Sequence, residues 1–184
     1  MINALRRILR PAEVSWHVTF LSNLSAELRP DSYAELGIYE GETFNKILAK
    51  RKYAVDISKK ALNFIPDCDE VIKIHGTSAE LGLELKRTKL SLDLLFIDAN
   101  HDSEAVQFDF ETLEKFVGPR GVVLFHDTFP GDVSFTSSNL CGDAYLAIPA
   151  LQQKFSEWHF VTLPIHPGLT IATRRGILPA WVHS

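Results

Sequence analysis

The chain is poor in cysteine, has no long apolar run and has no excess of positive charge, and each of these shortages argues against a class of protein. The 184 residues include two cysteines, too few for a disulfide framework, so we expect a reducing, cytoplasmic environment. No apolar run approaches the roughly 18 residues that cross a bilayer, so we expect no membrane partner. The formal net charge of -4 gives no electrostatic reason to bind nucleic acid.

What remains is the composition of an ordinary globular protein. Hydrophobic residues make up 46% of the chain and charged residues 23%, a balance typical of this class. We predict an N-terminal helical segment over residues 1–32, with a helix at residues 2–9, and one domain over residues 33–184. Trp16 and Phe20 are interpreted as core residues or as a subunit contact, which leaves a homo-oligomer open.

Short apolar runs alternate with helical patterns through most of the chain. This alternation is typical of a parallel sheet with right-handed crossovers and helices on both faces. The last two runs are joined by a turn too short for a crossover, so they should pair antiparallel. The expected fold class is α/β, a three-layer sandwich with a mostly parallel seven-stranded sheet whose last strand is antiparallel. The predicted strands are residues 33–37, 53–56, 71–75, 92–98, 122–125, 158–163 and 169–173.

Two polar clusters stand where apolar runs end. One is Asp98-Ala-Asn-His101, after the fourth run, and the other is His126-Asp127-Thr128, after the fifth. Ligands of such sheets bind beyond the carboxyl ends of the strands, so both clusters should face one pocket. Two carboxylates and two imidazoles in one pocket indicate a metal site or an acid–base site.

The first strand leads into a glycine-containing loop, Glu35 to Thr43. Gly37 and Gly41 allow a tight turn and a close approach of a ligand to the backbone. Asp56 ends the second strand, where an acidic residue commonly holds both hydroxyls of a ribose. In this order along the chain, the elements predict a nucleoside cofactor.

The spacing of the loop decides which cofactor is expected. It lacks the Gly-x-Gly-x-x-Gly pattern of dinucleotide-binding proteins, since three residues separate the two glycines. With this spacing the chain resembles class I S-adenosylmethionine-dependent methyltransferases. Among them it is most similar to small-molecule O-methyltransferases related to macrolide-sugar methyltransferases and cephalosporin-hydroxylase-like proteins. The resemblance spans residues 33–175 and rests on Glu35 to Thr43, Asp56, Gly76-Thr-Ser78, Asp98-Ala-Asn-His101 and residues 119–128.

The resemblance implies a Rossmann-like fold and transfer of a methyl group to a hydroxyl of a small molecule, such as a sugar or a glycosylated natural product. S-adenosylmethionine would be the cofactor, with its methionine end at the glycine loop, its ribose at Asp56 and its adenine near Ser78. The residues implied in cofactor binding are Glu35, Gly37, Tyr39, Gly41, Thr43, Asp56, Ser78 and Asp98.

The resemblance also implies a Mg²⁺ ion or another divalent metal. Asp98 and Asp127 would be metal ligands, His101 the general base, and His126 a ligand or a neighbour of the ligands. Asp98, His101 and His126 are thus the expected catalytic residues. An imidazole at residue 126 favours zinc, iron or manganese over magnesium.

Other interpretations stay open at this point. A nicotinamide-dependent oxidoreductase could share the fold, but the chain has no Tyr-x-x-x-Lys pair for hydride transfer. A non-catalytic nucleoside-binding protein would lose nothing if His101 or Asp127 were replaced by Ala. A metal-dependent hydrolase would leave the glycine loop and Asp56 without a role. Each polar cluster could also serve only as a turn or a helix cap.

Overall fold

The computed structural model describes residues 15–176, and its centre is a seven-stranded sheet in the order β3-β2-β1-β4-β5-β7-β6. The sheet is parallel from β3 to β5, and β7 runs antiparallel to both β5 and β6. The predicted fold class, including the antiparallel last strand, is confirmed. The strands are β1 (Ser32–Leu36), β2 (Arg51–Asp56), β3 (Val71–His75), β4 (Leu92–Ile97), β5 (Val117–His126), β6 (Trp158–Leu163) and β7 (Leu169–Arg174).

Helices cover both faces of the sheet. They are α1 (Trp16–Leu28), α2 (Glu42–Lys46), α3 (Lys59–Leu62), α4 (Ser78–Thr88), α5 (Ser103–Leu113) and α6 (Ala147–Lys154). In the described part of the chain, three short 3₁₀ helices lie at Glu114–Phe116, Val133–Phe135 and Ala144–Leu146. None of the helices within residues 15–176 is long and apolar enough to cross a membrane.

Each face of the sheet has its own hydrophobic core. Under α4, α5 and α6 the core contains Phe110, which lies within 5.7 Å, centroid to centroid, of the rings of Phe125, Phe155, Trp158 and Phe160. Under α1, α2 and α3 the core is built around residues such as Leu21, Phe44 and Phe96. Because the middle strands are covered on both faces, they are nearly continuous apolar runs, as the sequence pattern indicates.

The N-terminal part of the described chain packs against the second core. Val18 and Leu21 of α1 are fully buried, and Trp16 and Phe20 are partly buried against the same core. Both side chains pack against this core without being fully buried, and a subunit contact at Trp16 and Phe20 stays a prediction. The helix predicted at residues 2–9 lies outside the described residues.

Register places the ends of the central strands side by side. Leu36 of β1 pairs with Ile97 of β4, and Ile97 pairs with Phe125 of β5. The residues that follow, Asp98 and His126, therefore emerge next to each other at the carboxyl edge. The chain reverses its direction of winding at β1 and β4, which is where ligands of such sheets bind.

Candidate active site

The glycine loop leaves β1 at Gly37, where the neighbouring backbone leaves no room for a side chain. Gly37 has a φ of +86°, and a Cβ there would lie 2.2 Å from the carbonyl oxygen of Asp98. Gly41, before α2, has a φ of +73°, in the left-handed region that favours glycine. The loop is thus fixed directly against the end of β4.

Asp56 holds this loop from the end of β2. Its Oδ2 accepts hydrogen bonds from the backbone N–H groups of Ile38 at 2.8 Å and Tyr39 at 3.4 Å, and its Oδ1 accepts one from Ser58 at 2.7 Å. Tyr39 itself has a φ of +50° and an 80% exposed side chain. The carboxylate therefore shapes the loop in addition to facing the cavity.

Glu35 lies buried beneath the loop, with 2% of its surface exposed. The Tyr33 hydroxyl donates a hydrogen bond to Oε2 of Glu35. Burial raises the pKa of Glu35 to about 8, against the opposing effect of the Tyr33 hydrogen bond and with a further contribution from the charge of Asp98. At neutral pH the folded chain therefore holds a proton on this carboxyl group.

A cavity of about 800 Å³ opens at the carboxyl edge of the sheet. Its volume is in the range that small-molecule sites occupy. Nine of the residues proposed from the sequence line it: Glu35, Gly37, Tyr39, Thr43, Asp56, Asp98, His101, His126 and Asp127. The structure thus joins the glycine loop and the two strand-end clusters in one site.

Two sequence-predicted residues are not on the cavity wall. Gly41 lies behind it, where a Cβ would meet the Ile65 side chain at 2.8 Å. Ser78 is 1% exposed at the start of α4, beside the buried Asp109. A role of Ser78 at the adenine stays a prediction, and its side chain does not line the cavity in this structure.

Asp98, His101 and Asp127 form a compact group of possible ligands. Each offers one atom, and the three atoms lie within 4.8 Å of one another. Nε2 of His101 is 3.1 Å from Oδ2 of Asp127. Two carboxylates and one imidazole are a donor set that zinc, iron and manganese accept, and the oxygens suit magnesium. The donor set fits a divalent cation.

His126 lies against both carboxylates of this group. Its Nδ1 is 3.0 Å from Oδ1 of Asp98 and 3.3 Å from Oδ2 of Asp127. Burial lowers the pKa of His126, but the charge of Asp98 and the hydrogen bonds to both carboxylates outweigh it and raise the pKa to about 10. Burial would raise the pKa of Asp127, yet the hydrogen bond and charge of His126 keep it below its usual value.

His17, which no sequence pattern singles out, lies on the other side of His126. Nδ1 of His17 is 3.0 Å from Nε2 of His126, and the Ser15 hydroxyl is 2.8 Å from the same Nδ1. Burial and the charge of His126 lower the pKa of His17 to about 4. A neutral His17 can therefore accept a hydrogen bond from the charged His126. Nothing in the local sequence indicates this contact, because 109 residues separate the two histidines.

The loop after β5 packs against His101. Nδ1 of His101 contacts the carbonyl oxygen of Leu140, and the backbone N–H of Asp143 donates to the His101 carbonyl oxygen at 3.0 Å. Gly142 has a φ of +55°, and a Cβ there would lie 2.1 Å from that carbonyl oxygen. From the sequence, Asn139, Cys141 and Asp143 of this segment are candidates to face a substrate, and Cys141 lines the cavity.

Cys141 in the same loop is 2% exposed and touches the cluster. Burial and the nearby charge of Asp127 raise the pKa of its thiol to about 12. The thiol is therefore protonated at neutral pH and is not a nucleophile.

Known structures with the same fold include several methyltransferases. An O-methyltransferase from Bacillus cereus, solved with S-adenosylhomocysteine, superposes with a TM-score of 0.71 at 18% identity, over 95% of this chain and 87% of that chain. The O-methyltransferase of tomaymycin synthesis from Streptomyces achromogenes, solved with S-adenosylmethionine, gives 0.68 at 15% identity, over 92% and 86%. A methyltransferase from Podospora anserina, solved with S-adenosylhomocysteine, gives 0.68 at 17% identity, over 86% and 78%.

The sequence itself matches a family described as "Methyltransferase domain" over residues 34–128. This stretch runs from β1 to the end of the second polar cluster, so it contains the glycine loop, Asp56 and both strand ends. The predicted identification as a class I S-adenosylmethionine-dependent methyltransferase is confirmed, and the oxidoreductase and hydrolase interpretations are not supported. The chain belongs to the methyltransferase-domain family.

Proposed function

We propose that the protein transfers the methyl group of S-adenosylmethionine to a hydroxyl of a small molecule, a sugar or a glycosylated natural product, with a divalent cation bound beside it. The observation that carries this proposal is the shared cavity. The glycine loop on one side and the group Asp98, His101 and Asp127 on the other face the same 800 Å³ space. A cofactor and an acceptor bound there would be adjacent.

The cofactor would bind on the loop side. Glu35, Gly37, Tyr39 and Thr43, which line the cavity, would surround its methionine end, and Gly41 behind the wall would shape the loop. Asp56 would contact the ribose with the lone pairs that its three backbone hydrogen bonds leave free, since a carboxylate has about four acceptor positions. Asp98, between the loop and the second cluster, would lie nearest the transferred methyl group.

The cation would be held by Asp98 and Asp127, with His126 beside them as a third ligand or as their hydrogen-bond donor. A bound divalent cation would lower the pKa of the acceptor hydroxyl. His101 could also serve as a ligand, because it belongs to the same compact group. We assign it the base role instead, since its side chain is 32% exposed and that of His126 only 11%.

The chain's own contribution to the chemistry is then positioning and proton transfer. The acceptor oxygen attacks the methyl carbon of the sulfonium, the O–C bond forms as the S–C bond breaks, and S-adenosylhomocysteine leaves with the sulfur electron pair. The hydroxyl proton goes to Nε2 of His101, and Asp127 at 3.1 Å stabilises the resulting imidazolium. The Leu140 carbonyl at Nδ1 keeps the ring oriented for this transfer.

A cation-free transferase is the second candidate, and one observation favours it. The protonated His126 already places positive charge against both Asp98 and Asp127. In this alternative the imidazolium takes the place of the metal, and His101 still accepts the proton.

The first test is a thermal-shift comparison of S-adenosylhomocysteine with NAD, each with EDTA and with manganese. A ligand at about a hundred times its Kd adds roughly 2.7 kcal/mol, which corresponds to about 5–11 °C for a domain of this size. We expect a rise with S-adenosylhomocysteine and none with NAD. A rise with NAD alone would contradict the proposed cofactor.

The second test measures transfer of a labelled methyl group to a panel of sugars, glycosides and simple phenols. We expect methylated product from a sugar or glycoside, and loss of product when EDTA removes the cation. Product that survives EDTA would favour the cation-free candidate. Product from phenols alone would overturn the acceptor class but keep the reaction.

A further inference from the structure

Helix α1 delivers a side chain to the site although it lies outside residues 34–128, the stretch that matches the methyltransferase-domain family. Val18 is 1% exposed and Leu21 0% exposed, so the helix is packed firmly on the second core. His17, one residue before Val18, lines the cavity. A rigid helix therefore fixes where this imidazole stands.

Two further contacts fix the start of the helix over the site. The Trp16 indole N–H donates to the carbonyl oxygen of His166 at 2.9 Å, in the turn between β6 and β7. The Ser15 hydroxyl lies 2.8 Å from Nδ1 of His17. The Trp16 contact joins α1 to this turn, whose His166 also lines the cavity, and the Ser15 contact orients the His17 ring locally.

The ring of His126 is held at both of its nitrogens. Nδ1 faces carboxylate oxygens of Asp98 and Asp127, and Nε2 faces Nδ1 of His17 at 3.0 Å. The rings of His17 and His126 also pack against each other, with centroids 4.1 Å apart and planes inclined at 57°. A half-turn of the His126 ring would place carbon atoms where both nitrogens now stand, and would break all three contacts.

We propose that His17 is a positioning residue for methyl transfer, because its hydrogen bond to Nε2 of His126 keeps Nδ1 of His126 against Asp98 and Asp127. This inference rests on the proposed function, in which the two carboxylates lie beside the acceptor hydroxyl. His17 acts through His126 and contributes no group to the reaction itself. The residues that support methyl transfer therefore include one from α1, outside the stretch that matches the family.

Substitutions at His17 can separate the effect of its hydrogen bond with His126 from the effect of its packing in the space it fills. Asn places an amide at nearly the position of Nδ1, and this amide can pair with Nε2 of His126, whereas Leu fills the space without a polar atom. We expect His17→Leu to lower kcat about 10- to 100-fold, the usual effect of losing a partner that orients a site residue. His17→Asn should recover most of that loss, and both variants should keep the affinity for S-adenosylhomocysteine and the wild-type Tm.

Thr19→Leu is the matched control. Thr19 is exposed on the same helix and does not line the cavity. An apolar residue at this position tests whether any change in α1 is enough to reduce transfer. We expect wild-type kcat from this variant.

The second measurement is independent of turnover. In the full chain labelled with ¹⁵N-histidine and saturated with S-adenosylhomocysteine, NMR should detect a coupling across the hydrogen bond between the ring nitrogens of His126 and His17. Absence of that coupling in the wild type would overturn the proposal, and so would full transfer activity in His17→Leu. If the wild type methylates no acceptor while the coupling is present, the proposed function has failed and the positioning role falls with it.

Discussion

Phe125 and His126 are neighbours on β5, yet they belong to two regions that are held together by different interactions. Phe125 enters the aromatic core around Phe110, where Phe110 contacts four other rings and no contact depends on the position of a single atom. His126 enters the polar cluster, where Nδ1 and Nε2 each have defined partners at 3.0–3.3 Å. The aromatic core supports the fold, and the polar cluster supports the chemistry.

The two regions also differ in what burial does to them. Burial stabilises the aromatic rings, because apolar surface leaves water. In the polar cluster burial opposes the charged forms of His126 and Asp127, and only their mutual pairing restores them. We therefore expect substitutions to separate activity from stability according to the region they touch.

His101→Ala should show the largest loss of activity without a loss of stability. Loss of a general base typically costs about 10²- to 10⁴-fold in rate, so we expect kcat to fall by this factor while the Tm stays near the wild-type value. The measurement is transfer of a labelled methyl group alongside a melting curve. His159→Ala, at an exposed position of β6, is the control and should leave both unchanged. A wild-type kcat in His101→Ala would show that His101 is not the general base.

Phe110→Ala should lower stability without lowering the activity of the folded protein. The ring is fully buried and contacts four other aromatic rings, so its removal leaves a cavity in the core. Substitutions of this kind cost about 3–5 kcal/mol of unfolding free energy. Urea denaturation would measure the loss, and kcat per folded molecule should be unchanged. A loss of turnover in the folded fraction would show that the two regions are coupled.

Glu35→Gln tests the burial of a carboxyl group beneath the glycine loop, near Asp98 of the polar cluster. The folded chain keeps the Glu35 proton up to about pH 8, whereas the unfolded chain loses it near the ordinary pKa of 4.5. The unfolded state thus binds fewer protons between these values, and stability falls as the pH rises. From pH 5 to 7.5 the loss attributable to Glu35 is about 3 kcal/mol.

Gln cannot ionise but can still accept the Tyr33 hydrogen bond. Glu35→Gln should therefore remove most of this pH dependence, as measured by denaturation at several pH values. Glu27→Gln on α1, where the side chain is exposed, serves as the control. An unchanged slope in Glu35→Gln would mean that Glu35 is already ionised in the folded chain at pH 5.

The smallest effect is expected from Thr77→Ala, away from both regions. The Thr77 hydroxyl oxygen accepts from the backbone N–H of Ala79 at 3.2 Å, and Oε2 of Glu80 accepts from the Thr77 backbone N–H at 2.7 Å. Loss of such a cap costs about 0.5–2 kcal/mol. Chemical denaturation should show this loss with unchanged affinity for S-adenosylhomocysteine. A weaker affinity would place the segment Gly76-Thr-Ser78 at the cofactor, as the sequence analysis predicts.

The sequence could predict the parts of the site that depend on strand ends. Asp98, His101, His126 and Asp127 follow apolar runs, and the rule that ligands bind at carboxyl edges brings them to one cavity. Ser78 begins α4 and is buried beside Asp109, away from the cavity wall, so its contact with the adenine stays a prediction.

The sequence by itself determined the alternating strands and helices, the glycine loop and the two polar strand ends, because apolar periodicity and glycine conformation are local properties. Only the tertiary structure decided that His17 contacts His126, that the Leu140 carbonyl orients His101, and that Asp56 shapes the loop as well as facing the cavity. The first two contacts join residues 109 and 39 positions apart. They depend on how a helix and a loop pack on the finished sheet, which no local pattern records.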